Sequence, residues 1–240
     1  MPTRSFLRFL CCSALALVVA STSGASGDVF ELSVEDTRVA LPLPKGLKRA
    51  SIHDPAAIQR MRKVHGLTNG VVELLFDPEC TINTAERQCP AAFELVLVPD
   101  RISDQEWPSV RAAMLADIRG NDRLLQREET AQAEKRVEAE MPGLRMFTDK
   151  TAAMVLMHED DPRSVRARLQ RPMLITQGEA RFEIVQIHIQ LQVRGRYMGV
   201  YAMHLYPYGQ VDEDAVERLD AEADAFLTDL YALNPTKRAR

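Results

Sequence analysis

The chain has 240 residues, of which 46% are hydrophobic, 27% charged and 6% aromatic. That composition belongs to a globular protein and excludes a disordered or fibrous one. Thirty Lys and Arg against 34 Asp and Glu give a formal net charge of −4, so no overall positive field draws the chain onto nucleic acid or anionic lipid.

The first eight residues carry Arg4 and Arg8 and no acid, and residues 9–20 (FLCCSALALVVA) are uncharged and mostly apolar. A run this short falls below the roughly 20 apolar residues that span a bilayer as a helix, and the small residues Ser21 to Gly27 follow at once. Residues 1–27 are read as a signal peptide, cleaved after Gly27 or after Ala25. Losing Arg4 and Arg8 with it takes the net charge from −4 to −6. Cys11 lies too near the start of the apolar core for a lipid-modified cysteine. The expectation is a periplasmic or secreted protein with no membrane span in the mature chain. It consists of an α+β domain over 28–235 and a short basic tail at 236–240.

Two cysteines remain after cleavage, Cys80 and Cys89. In an oxidising compartment an even pair at this spacing is either a disulfide or two free thiols, and the disulfide is the simpler reading. Two thiols with no second pair fall short of a tetrahedral zinc set.

In chain order, residues 30–44 read as strand material, and Pro44-Lys45-Gly46 turns into a second short strand segment at 47–51. Asp54 followed by Pro55 marks a helix start, and Gly66 sits where a left-handed cap would end a helix over 55–65. Segments 71–76 and 91–98 are β-rich. Ser103 and Glu106 have capping-box spacing, ahead of a helix that Gly120 terminates. Segment 123–140 has helix-favouring Glu, Ala and Lys but too few apolar residues to make a face, which points to exposed strand or extended loop. Residues 145–158 and 166–170 read as strands around the turn 159–162. In 182–193, Val185, Ile187, Ile189, Leu191 and Val193 alternate with Gln186, His188, Gln190 and Gln192, a strand pattern. Residues 197–206 are apolar on both sides of the alternation, as in a strand covered on both faces. A last amphipathic helix over 213–233 is capped by Asp212 and stopped by Asn234-Pro235.

The opening VALPLPKGLKRAS (39–51), the helix start Ser103-Asp104-Gln105-Glu106-Trp107, the turn Pro142-Gly143-Leu144 and the closing hairpin with its helix form an ordered set. This order resembles the PsbP-like superfamily, the α-β-α sandwiches that include an extrinsic photosystem subunit and bacterial periplasmic DcrB-like proteins. The resemblance implies an antiparallel β-sheet flanked by helices and a non-enzymatic accessory or binding role. It names no ligand, and the Cys80–Cys89 loop is not a mark of that group.

His158-Glu159-Asp160-Asp161 is the densest set of metal-ligand residue types, but it matches no calcium loop and is also ordinary turn chemistry. His188 and His204 lie on successive strands. An even-length hairpin loop puts them on opposite faces; an odd-length one sets His188 opposite Ala202. Ser51, Ser103, Ser109 and Ser164 lack a nucleophile elbow. Candidate partner-binding residues are Gln186, His188 and Gln190 on the polar row, which is either an exposed face or one lying beneath a helix. On the acidic last helix they are Glu217, Asp220 and Asp224. The sequence-level expectation is a binding protein without cofactor or catalytic activity, such as an immunity protein that neutralises a secreted effector. The alternative is an envelope hydrolase or metal-dependent enzyme using His158 to Asp161.

Overall fold

The signals that start and stop each element are local, and most of them are met. The computed structural model describes residues 29–67, 69–80, 89–120, 123–149 and 153–235. The predicted signal peptide and the basic tail lie outside the described residues.

An antiparallel hairpin, β1 (Val29–Val34) and β2 (Thr37–Pro42), comes first. β3 (Lys48–Arg49) is followed by a single helical turn, α1 (Ala50–His53), where strand had been expected. In α2 (Pro55–Val64) the Asp54 carboxylate accepts from the Ala57 N–H at 2.9 Å. Gly66, at φ +66°, closes its other end, with Gly66 N–H donating to Lys63 O and Leu67 N–H to Arg62 O.

β4 (Val71–Phe76) and β5 (Ala92–Arg101) flank the cysteine loop. Cys80 and Cys89 are joined, with Cα atoms 5.7 Å apart. Replacing both by Ser should lower unfolding free energy by about 2–3 kcal/mol, because so short a loop frees only modest chain entropy. Calorimetry should show the melting temperature falling by several degrees, and an unchanged value would refute the bond's contribution.

The Ser103 capping box forms, with Ser103 N–H donating to Glu106 Oε2 at 2.9 Å and Glu106 N–H to Ser103 Oγ at 3.2 Å. Helix α3 (Trp107–Gly120) follows it. Segment 123–140 is a helix, α4 (Arg123–Glu140), and corrects the extended reading. Its apolar stripe is narrow, but Ala133 and Val137, one turn apart, are both buried. Side-chain ties from Lys63 to Glu140 and from Arg136 to Val64 O hold it against α2.

The predicted strand over 145–158 is two strands, β6 (Leu144–Phe147) and β7 (Met154–Met157), which pair with different neighbours. They are followed by β8 (Ser164–Leu169), β9 (Met173–Gln177), β10 (Ala180–Val193) and β11 (Arg196–Pro207). Helix α5 (Ala215–Leu233) ends the described chain. Asp212 is not its N-cap; Asp214 stands there, and the Asp212 carboxylate pairs with Arg218 instead. Asn234 does stop the helix, and its side chain bonds Leu230 O and both backbone groups of Ala40, pinning the helix end to β2.

The main sheet runs β3-β4-β5-β11-β10-β8-β7, with β9 on the first half of β10 and β6 outside β9. Every pairing is antiparallel. Strand alternation splits the interior into two cores. On one face Val72, Leu74, Val96, Tyr201 and Ile184 meet α2, α3 and α4 through Met61, Leu115 and Val137. On the other, Val185, Ile187, Ile189, Val200 and Leu95 meet the β1–β2 hairpin and Leu219, Phe226 and Leu230 of α5. The α+β expectation of an antiparallel sheet with helices against it is met.

Candidate functional site at the seam between helix and sheet

The β10–β11 register decides where the polar row points. Val193 pairs with Arg196 across a two-residue loop, and Val185 stands opposite His204. His188 and His204 are therefore on opposite faces, as an even loop requires.

The even-numbered row of β10 faces the core covered by α2, α3 and α4. Gln186, His188 and Gln190 are 2%, 4% and 2% exposed. This corrects their nomination as partner-binding residues, since none presents its side chain at the surface. Instead they belong to an internal polar patch. Gln190 Oε1 accepts from the Tyr197 hydroxyl, and the His188 ring meets the Tyr201 ring edge-on with centroids 5.0 Å apart. Beyond Tyr201, its β5 partner Glu94 is hydrogen-bonded to His65 Nε2 at the end of α2, with both side chains fully buried. Burial pushes the His188 pKa down to about 3, so its imidazole is neutral at ordinary pH.

The opposite face carries a seam of charged groups between α5 and the sheet. His204 Nε2 lies 3.0 Å from Glu222 Oε1, and Glu222 also accepts from the Ala91 N–H at 2.6 Å. Burial alone would raise the Glu222 carboxyl, but these two hydrogen bonds outweigh it and hold the group below its ordinary value. Nearby, the Asp212 carboxylate accepts from Arg218, which holds that carboxyl low as well.

The seam's other end gathers residues distant in sequence. His158 closes β7 in a tight turn, with Asp161 N–H donating to His158 O and a left-handed φ of +50° at His158. Its Nε2 reaches Asp220 Oδ2 on α5 at 2.7 Å. Arg166 of β8 is buried beneath them. Its Nε donates to Ser164 Oγ, its Nη1 to Asp224 Oδ1, and its guanidinium lies 3.6 Å from Asp161 and 3.7 Å from Asp220. Asp161 is drawn inward by burial, which raises its pKa, but hydrogen bonds from Ser164 Oγ and the Arg163 N–H prevail and lower it. Arg163 stacks over the Tyr231 ring at 4.3 Å, and burial followed by the Asp161 charge pushes the Tyr231 hydroxyl up to about 12.

Of the predicted His158 to Asp161 set, the structure keeps His158 and Asp161 at this corner. Glu159 instead pairs with Arg119 of α3. Of the predicted α5 residues, Asp220 and Asp224 face the corner and Glu217 is exposed to solvent. The sequence offered no sign that Arg166 sits among them, because its partners are up to 58 residues away. Neither the protein-family models nor the curated proteins compared with the chain match it. Among the described residues no helix is long and apolar enough to cross a membrane.

Proposed function

We propose that this protein is an exported accessory protein, acting by docking a basic protein partner on the outer face of α5, as an immunity protein of the envelope would on a secreted effector. The observation that carries the reading is the division of labour among the acids around α5. Asp212, Asp220, Glu222 and Asp224 pair with Arg218, His158, His204 and Arg166 of this chain. Glu213, Asp214, Glu217 and Asp229 are exposed and have no ion-pair partner among the described residues. Their negative charge is therefore not spent on folding, and it makes a complementary surface for cations. The signal-peptide pattern and the Cys80–Cys89 bond support an oxidising, extracytoplasmic setting.

The test is capture from envelope extract on immobilised chain 28–235, beside a variant carrying Glu213→Lys, Glu217→Lys and Asp229→Lys. These positions are exposed, so the variant folds. The expected result is one stoichiometric basic protein on the first column, eluted by salt at concentrations that screen surface charge, and its loss from the second. The same proteins on both columns would sink the reading.

A further inference from the structure

We propose that His158, Asp220 and Asp224 bind a divalent transition-metal ion of the zinc class. A ring nitrogen of His158 and one oxygen from each carboxylate lie within 4.8 Å of one another. Asp220 and Asp224 are four residues apart on α5 and so occupy successive turns of one helix face. His158 arrives from the β7–β8 turn, held there by its left-handed backbone.

The donor chemistry selects the ion. One imidazole nitrogen and two carboxylate oxygens are the mixed set that zinc and its neighbours accept, at about 2.0–2.2 Å, with water in a fourth position. Ligand atoms around such an ion stand about 3.3–3.6 Å apart, so small side-chain rotations at this surface corner have to close the wider gaps and open the 2.7 Å contact between His158 and Asp220. Calcium, which takes 6–8 oxygens, is poorly served here.

The local charge also asks for a cation. Three carboxylates, Asp161, Asp220 and Asp224, surround the buried guanidinium of Arg166, and a further guanidinium, that of Arg163, pairs with Asp161 and not with the two α5 acids. Asp220 Oδ1 is buried and accepts no hydrogen bond, and its nearest cation is 3.7 Å away. Arg166 is anchored independently through Ser164 and Asp161, so an incoming ion has to displace its Nη1 contact with Asp224 and the hydrogen bond between His158 and Asp220. The ion and the guanidinium thus compete for one carboxylate. The ligand set differs from the contiguous one the sequence suggested, because Asp220 and Asp224 stand in place of Glu159, Asp160 and Asp161.

This inference is independent of the docking reading, whose test uses other residues. Chelator-stripped protein is titrated calorimetrically with zinc, cobalt, calcium and magnesium salts. One equivalent of zinc and of cobalt should bind, with the cobalt complex showing the visible bands of low coordination, and calcium and magnesium giving little heat. His158→Gln and Asp224→Asn should each weaken zinc at least about tenfold. Arg166→Met should tighten it, and Glu179→Gln, an exposed acid in the turn between β9 and β10, should leave it unchanged. Absence of heat, several weak equivalents, or a zinc affinity in His158→Gln and Asp224→Asn equal to that of the wild type would overturn the proposal.

Discussion

Replacing His65 by Leu should remove about 3–5 kcal/mol of stability, among the largest effects of any single change in this protein. Glu94 is fully buried near the start of β5, its Oε1 bonded to His65 Nε2 and its Oε2 without a hydrogen bond. Without the imidazole, a carboxyl group remains in an apolar interior lined by Leu74 and Tyr201, and the penalty is that of an uncompensated buried polar group. The double variant His65→Leu, Glu94→Leu should recover most of the loss, because well-packed apolar residues replace a buried pair at little net cost. Urea unfolding of the wild type, both single variants and the double variant closes the cycle. A His65→Leu effect under about 1 kcal/mol, or a double variant worse than the single, would show that the pair is not coupled.

Acid should destabilise the fold through His188. Its native pKa is about 3, because burial disfavours the charged ring, against 6.5 in a solvated chain. Between those values the unfolded chain binds a proton that the folded one refuses. Stability therefore falls as pH drops through this window, by about 2 kcal/mol at pH 5 and more toward pH 3. His188→Phe keeps a ring against Tyr201 and cannot titrate. The stability lost by the wild type between pH 7 and pH 5 should exceed that lost by the variant by about 2 kcal/mol. Parallel pH profiles would show that the ring takes up its proton without unfolding.

What was legible in the sequence was local. Asp54 with Pro55 and Gly66, the Ser103–Glu106 box and the alternation of β10 each act over a few residues, and each sits where expected. Helix α4 escaped because Ala133 and Val137 suffice only when α2 and β6 supply the other walls, which no window of its own sequence reveals. β9 folds onto β10 across the two-residue turn Gly178-Glu179, and the break between β6 and β7 arises because β6 pairs with β9 while β7 pairs with β8. The polar row's address depended on hairpin parity, and Arg194-Gly195 is a weak turn signal compared with Asn-Gly. Both residues nevertheless take positive φ, +54° and +74°, as a two-residue primed turn requires. The corner of His158, Asp220 and Asp224 joins segments 62 residues apart, so spacing alone could not find it.

The sheet order has a consequence for how the chain must be handled before it is complete. β11 lies between β5 and β10, yet it is the last strand to be synthesised. Until residue 207 is available, β5 presents the largely apolar stretch Ala92–Val98 as an edge with no neighbour on that side. A nascent chain is thus kept from closing early and carries an aggregation-prone edge until its last strand arrives.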